Sequence, residues 1–279
     1  MLYIHENNLK TKISSNYNGI GSEIEKFYND VYLKYRTKLE NIDYSTKDIG
    51  VYSEAAKLID EYLVEVENFS SSKDISSQSK FRSTFIEEIS TYLFGKVDVI
   101  NDGTFGIYNK NIYAGMKINN QMHIDIIPKD VDFCVGKRVE LKVDNEQNIS
   151  IIIPIICVEV KTYLDATMFG EVQFSSRQIK NASPNVKTYV LMEYNDVSKE
   201  KIIAAKYDNN LNEMFVLRKG SRKDSILVTP IDPKALVEYY EEIENSIKNA
   251  NVEDIINETG KLLNRWLKKE TVNQFLFFM

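Results

Sequence analysis

The feature that most constrains this chain is the segment running from Ile149 to Tyr163. It is β-branched and carries no charge until Glu159. A run of this kind, too short for a membrane span and bounded by turn residues, reads as a strand buried on both faces of a sheet. The segment before it, Val139–Val143, alternates apolar and charged residues. Between the two lies Asp144-Asn145-Glu146-Gln147-Asn148, which is turn chemistry. Together they predict a β-hairpin with a polar tip. A longer strand leading into it begins near Asp130. After the buried run, Asp165–Asn181 has helical spacing and is closed by Ser183-Pro184, and Lys187–Glu193 (KTYVLME) returns to strand character. Strand, helix and strand in this order predict an α/β domain with a mixed central sheet flanked by helices.

The first third reads as helix. Ile24, Phe27, Tyr28, Val31 and Tyr35 form one apolar face from Ser22 onward, and Ser22 with Glu25 has capping-box spacing. Further helices are predicted over about Ser53–Phe69 and about Lys80–Phe94. The serine-rich stretch Ser70–Ser79 between them reads as a loop. Short strands are predicted at Val97–Asn101, Thr104–Tyr108, Tyr113–Ile118, Lys201–Tyr207 and Glu213–Leu217. Asp232-Pro233 opens a helix to about Asn249. A last helix covers Val252–Lys269, and the end, Phe275–Met279, is apolar. The organisation expected is a helical N-terminal region over 1–79, a core over 80–249, and a C-terminal helix and tail over 250–279.

Composition narrows the function classes. Of 279 residues, 43% are apolar and 27% charged, which is globular and not disordered. Basic residues number 35 against 41 acidic, a net charge of −6. That excludes a uniformly basic coat, while a local basic surface for nucleic acid remains open. Two cysteines, Cys134 and Cys157, cannot form a disulfide framework, and they read as small core residues. Met1–Lys10 lacks the apolar core of a signal peptide. A cytoplasmic location is expected.

The residues that carry chemistry are Asp132, Glu159 and Lys161. A strand period of two puts Glu159 and Lys161 on one face, at the end of the buried run. Asp132 interrupts the apolar stretch VDFCV on the preceding strand, and antiparallel pairing would bring it toward Glu159. Two ionised carboxylates held together repel unless a cation joins them. A hard dication such as Mg²⁺ takes oxygen ligands and keeps waters for a phosphate substrate. A lysine beside it would orient an attacking water and stabilise developing negative charge. Alternating charges are also the ordinary look of a solvated strand face. The uncharged run before Glu159 and the apolar setting of Asp132 favour a site. His5 and His123 have no zinc spacing and read as structural.

The segments VDF, PIICVEVKTYLDATM, RQIKNASPN and KTYVLMEY, in this order, resemble Type II restriction endonucleases of the PD-(D/E)XK superfamily, and within it the DdeI/BbvCI-like family whose relatives cut CTNAG-type sites. The resemblance covers about Asp130–Tyr240 and takes in LRKGSR and Pro230-Ile231-Asp232. Phe81–Phe94, with Glu87 and Glu88, resembles the family's "EEF-x-x-YLF" helix. The first acid of the superfamily often follows proline. Here Asp132 follows Val131, so Asp130 and Asp125 are rivals for its place.

The resemblance implies a PD-(D/E)XK nuclease-like core that hydrolyses both strands of duplex DNA at a short site, leaving 5′-phosphate and 3′-hydroxyl ends. It implies Mg²⁺, with Mn²⁺ able to substitute, held by Asp132, Glu159 and the backbone carbonyl of Val160. Lys161 would position the water. Glu87 or Glu88 would be an additional acid near the site. Gln173, Arg177 and Lys180 on one helical face, and Arg218, Lys219, Arg222 and Lys223 in a basic loop, are candidates for contact with DNA. A surface ion-pair face and a solvated turn are the competing readings of these two groups. The implied partners are double-stranded DNA, a second copy or a related subunit, and a protecting methyltransferase. Two other functions remain open: a structure-selective repair nuclease on the same fold, and a catalytically silent DNA-binding subunit.

Overall fold

A computed structural model describes residues 1–120, 124–142, 148–207, 210–220, 223, 226 and 228–251. Long strand β5 (Asn148–Leu164) is the axis of the sheet. On one edge it pairs antiparallel with β4 (Phe133–Lys142), in register from Lys142 opposite Asn148 to Phe133 opposite Val158. On the other edge its C-terminal half pairs parallel with β6 (Lys187–Asn195), Ile156 to Leu164 against Lys187 to Asn195. Lower on that edge β2 (Ile112–Ile118) joins through Ile112 opposite Ile152. Strands β1 (Gly106–Tyr108), β3 (Ile124–Lys129) and β7 (Glu213–Val216) extend the sheet beside β4, β2 and β6. The described residues thus give a mixed seven-stranded sheet, the architecture expected from the sequence.

The hairpin register contains one irregularity, between Val135 and Gly136, where Pro154 sits opposite Gly136. Proline cannot donate to a ladder and is tolerated in strands at such bulges. Gly136 is required there, because a β-carbon would lie 2.7 Å from the Ile153 carbonyl oxygen.

Helices cover both faces. On one face lie α4 (Ile49–Ser72), α5 (Ser83–Phe94) and α9 (Pro233–Lys248), packed with α1 (Ile4–Ser14), α2 (Gly21–Phe27) and α3 (Leu33–Glu40). On the other lie α7 (Ala166–Ala182) and α8 (Lys199–Tyr207). One continuous apolar core runs from Leu9 through α4 and α5 to Val158, Val160 and Ile247, so residues 1–79 share their core with the sheet. Aromatic rings join its parts: Phe94 stacks on Tyr240 and meets Tyr239 and Phe133.

Caps explain several boundaries. The Asp165 carboxylate accepts from Thr167 N and Met168 N, both at 2.9 Å, and so starts α7 at the end of β5. Asp232 accepts from Lys234 N at 3.0 Å, with Pro233 in the first turn of α9.

Other expectations are corrected. Ser22 does not cap: α2 begins at Gly21, whose N–H donates to Asn16 Oδ1, and Ser22 Oγ bonds Glu23. A five-residue π-helical turn, Tyr28–Tyr32, links α2 to α3. Part of the serine stretch is helical, since α4 continues to Ser72. Val97–Asn101 is not a strand. Ile100 N and Asn101 N both donate to the Val97 carbonyl, giving a single helical turn, α6 (Asp98–Asn101). Lys201–Tyr207 belongs to helix α8, because Ser198 O takes the first N–H groups and the paired alanines Ala204 and Ala205 favour helix. The polar hairpin tip, the predicted helix from Val252, the apolar end and His123 lie outside the described residues.

Candidate active site

The pairing of β4 and β5 ends at Phe133 opposite Val158. Beyond that point β4's chain turns away, and Val131 N donates to Asn109 O. Strand β5 continues, paired on its far side with β6 but with its near edge opened. Asp132 fills the gap: its Oδ2 accepts the Val160 N–H at 2.7 Å. One catalytic candidate is therefore fixed by the backbone of the strand that carries the other two.

Glu159 and Lys161 project from the same face of β5, while the side chains of Val158 and Val160 are buried in the main core. Lys161 Nζ lies 2.6 Å from Glu159 Oε1 and 4.0 Å from Asp132 Oδ2. About a quarter of each of these three side chains is exposed, which leaves them accessible yet poorly solvated. Burial, and then the charge of Glu159, push the Asp132 carboxyl up to about 6, against the opposing pull of Lys161 and the Val160 N–H. Burial works against the Lys161 charge, but Glu159 and Asp132 outweigh it and raise its pKa.

Glu87 and Glu88 separate cleanly. Glu87, on α5, faces the cluster: burial and then Asp132 push its carboxyl up to about 8. Glu88 points the other way and is fully buried. Its Oε2 accepts the backbone N–H groups of His5 at 2.7 Å and Glu6 at 3.2 Å, at the start of α1. Its Oε1 accepts from Tyr32 Oη at 2.9 Å and from Tyr92 Oη. Glu88 is an anchor for α1, which leaves Glu87 as the candidate for the additional acid. His5 is structural, with its ring nitrogens bonded to Thr84 Oγ1 and Tyr62 Oη; burial drives its pKa down to about 3.

The rivals of Asp132 lie elsewhere. Asp130 Oδ1 accepts Asn111 N, and Asp125 Oδ1 accepts Asn119 Nδ2.

The donor set suits Mg²⁺. Two neighbouring carboxylates, one raised in pKa by burial and then by the charge of the other, invite a cation. Among the described residues no three His, Cys, Asp or Glu side chains close into a metal cage. Asp132 and Glu159 supply the oxygen donors that Mg²⁺ takes.

The proposed DNA contacts fare unevenly. Gln173 is half-buried and Arg177 exposed on α7, while Lys180 Nζ donates to Asn212 Oδ1 at 3.1 Å. Arg218 is no loop residue. It is fully buried, bonding Glu193 Oε1 at 3.0 Å and the Thr229 carbonyl at 2.8 Å, and pairing with Asp60 at 2.6 Å. Lys219 is exposed and pairs with the α9 cap Asp232. Lys223 is exposed, and Arg222 lies outside the described residues.

Sequence reasoning missed Arg82 and Glu193. Arg82 grips Glu193 with two bonds, of 2.9 and 2.7 Å, and also reaches Glu67. With Arg218 this forms a buried network tying α4 and the start of α5 to the end of β6. Glu193 is the one charge in the otherwise apolar run Tyr189–Tyr194. A charge so placed signals a buried partner.

A family model described as Bpu10I restriction endonuclease matches residues 78–274. The chain is similar in structure to a chain of the native BbvCI A2B2 tetramer, with a TM-score of 0.69 and 18% identity, over 90% of this chain and 99% of that one. No curated protein matches it.

Proposed function

The chain belongs to the Bpu10I restriction endonuclease family, and on that premise we propose that it is a Mg²⁺-dependent Type II enzyme that hydrolyses both strands of duplex DNA at a short specific site, leaving 5′-phosphate and 3′-hydroxyl ends. The observation that carries this reading is the meeting of Asp132, Glu159 and Lys161 where β4 leaves β5. Mg²⁺, or Mn²⁺ in its place, lowers the pKa of a bound water and neutralises charge on the phosphate oxygens. Asp132 and Glu159 offer carboxylate oxygens to the ion, and Val160 offers its carbonyl while its N–H holds Asp132 still. Lys161 Nζ, 2.6 Å from Glu159 Oε1, would orient the water and donate to the phosphate. Glu87 holds a proton near neutral pH and can give or take it beside the same group.

Two strands need two active sites or one used twice. The chain is proposed to act as a homodimer, or as one half of a pair with a related subunit, as the A and B chains named for BbvCI would suggest. A methyltransferase that protects the host's own sites is the expected functional partner. Gln173, Arg177, Lys180, Lys219, Arg222 and Lys223 remain candidates for DNA contact. Arg218 is withdrawn because it is buried.

The test is cleavage of a long unmethylated DNA by the purified chain, with Mg²⁺ and with EDTA, read by end sequencing. Discrete metal-dependent fragments sharing one short sequence are expected, and Lys161→Ala should abolish them without loss of folding. Full activity in that variant would overturn the assignment. Ragged, sequence-independent cutting would favour a repair nuclease. No cutting, alone or mixed with a related subunit, together with no Mg²⁺ binding, would favour a silent DNA-binding subunit.

A further inference from the structure

Helix α7 follows β5 directly and packs on the sheet with Phe169, Val172, Ser176 and Ile179. Its opposite face is in solvent. Gly170, Glu171, Phe174, Arg177 and Gln178 are all exposed there. They recur at the three- and four-residue steps of one helical stripe.

Three features of this stripe serve nothing within the chain. Phe174 is 61% exposed, and among the described residues no other phenylalanine is exposed. Apolar side chains standing singly in solvent are ordinary, but two further features flank this one. Gly170 lies one turn before it. Glycine is a poor helix former, yet a β-carbon at this position would meet nothing within 4 Å. The packing of the chain itself therefore gives no reason for glycine. Glu171 and Arg177 stand three residues on either side of Phe174. They are six apart, too far along the helix to pair with each other. Among the described residues neither side chain makes an ion pair or a hydrogen bond.

The stripe is complementary to itself. Two copies of α7 laid antiparallel, with a two-fold axis level with Phe174, bring the two rings together at the axis. Arg177 of each copy then stands level with Glu171 of the other. Gly170 of the opposite helix faces that arginine, and its missing side chain leaves the guanidinium room to reach the adjacent Glu171. One ion pair forms on each side of the axis. Each residue meets in the other copy what its partner meets in the first, as a two-fold contact requires. Aromatic rings and arginine are also the residues enriched at the centres of interfaces.

We propose that the exposed face of α7 is the surface through which two copies of this chain associate, antiparallel about Phe174. This rests on the nuclease reading above for its purpose, since two strands need two sites. The pairing sets one cluster of Asp132, Glu159 and Lys161 at each outer end of the helix pair, because α7 starts where β5 ends. It commits the open choice of partner to a second copy, and it turns Arg177 from DNA to the opposite helix.

The experiment measures the mass of the full-length chain by sedimentation equilibrium over a range of concentrations, without DNA or metal. The wild type should be a dimer. Phe174→Asp should weaken it about 30-fold or more, as the loss of a central anchor does. Gly170→Gln should weaken it while helix content by far-UV circular dichroism holds or rises. Glu171→Arg and Arg177→Glu should each weaken it about 10-fold alone, because each sets two like-charged pairs across the axis. Mixed in equal amounts, these two variants should form a heterodimer as tight as the wild type, since every facing pair is then opposite in sign. A wild type that stays monomeric, a dimer untouched by Phe174→Asp, or charge variants that fail to associate when mixed would each overturn the proposal. So would loss of duplex binding in Arg177→Glu with the dimer unchanged, which would assign this face to DNA. A dimer that behaves as stated but fails the cleavage test above would keep this surface and lose only the nuclease reading.

Discussion

Arg218→Met tests whether the buried network, and not DNA, is the partner of this side chain. In the folded chain Arg218 is fully buried and has three partners: Glu193 at 3.0 Å, the Thr229 carbonyl at 2.8 Å and Asp60 at 2.6 Å. Methionine fills much of the same space but donates nothing. Glu193 keeps its two bonds from Arg82, and Asp60 keeps the Ile231 N–H at 3.0 Å. Removing one member of a buried ion pair costs about 3–5 kcal/mol. These surviving contacts place the loss toward the lower end. Unfolding entropy of about 2.1 cal/mol/K per residue gives about 0.6 kcal/mol/K for a chain of this size, so the melting temperature should fall by about 5–9 °C. The pH dependence has a definite sign. Burial already raises the Asp60 pKa, against the pull of Arg218, and the variant would raise it further. A raised carboxyl pKa gives stability that is present below its unfolded value, about 3.9, and is lost as pH rises through the folded one. The deficit of the variant should therefore be small in acid and grow toward neutral pH. Calorimetry across pH reads this directly, and the salt slope of DNA binding should stay that of the wild type. A fall below about 2 °C together with a reduced salt slope would refute the reasoning and return Arg218 to the DNA surface.

Four further outcomes follow from the site and core. Mg²⁺ competes with a proton for the Asp132 carboxyl, raised to about 6, and Glu87, raised to about 8, adds negative charge beside it as it ionises, so Mg²⁺ affinity by titration calorimetry should climb from pH 6 to 8, and Glu87→Gln should flatten the upper part of that climb. Without metal, those same carboxyls stabilise the fold most below their ordinary pKa, and that contribution is lost as pH rises through about 6 and about 8, so apo melting temperatures should fall over that range. Glu87→Gln should slow cleavage and leave apo stability at pH 8 unchanged or higher, while Glu88→Gln should cost about 1–3 kcal/mol by loosening α1, with the site intact. Phe94→Ala, at the fully buried junction of α5, α9 and β4, should cost about 3–5 kcal/mol by denaturant unfolding.

Much of this was legible in the sequence, for definite reasons. The hairpin and α7 were readable because a long uncharged β-branched run, a polar turn and an aspartate cap all give the same answer locally. Val97–Asn101 and Lys201–Tyr207 were misread because a few β-branched residues in a short window fit strand and helix alike. Glu87 and Glu88 were distinguishable in principle. Glu88 follows Phe85 by three and precedes Tyr92 by four, which puts it on the buried stripe, while Glu87 falls off it. Arg218 was not readable. Its neighbours in the sequence are basic and polar, and its partners Asp60 and Glu193 come from distant elements that only the fold brings together.

The place where β4 leaves β5 links the stability of the fold to its chemistry. Had the ladder continued, the Val160 N–H would have gone to a backbone carbonyl and Asp132 would have stayed an ordinary strand-end acid. Because the ladder stops at Phe133, a buried donor is left over, and one carboxylate oxygen must satisfy it. That single bond holds Asp132 in a buried place beside Glu159, where burial and then the Glu159 charge raise its pKa. The register reaching this point passes through the bulge at Gly136 and Pro154, which the close approach of the Ile153 carbonyl confines to glycine. A slip of one residue would turn Glu159 and Lys161 onto the core face of the sheet and take Asp132 off Val160. The apolar run that makes β5 a buried strand is therefore also what holds two acids and a lysine in one register. The charges can sit at its end because the strand before them has none.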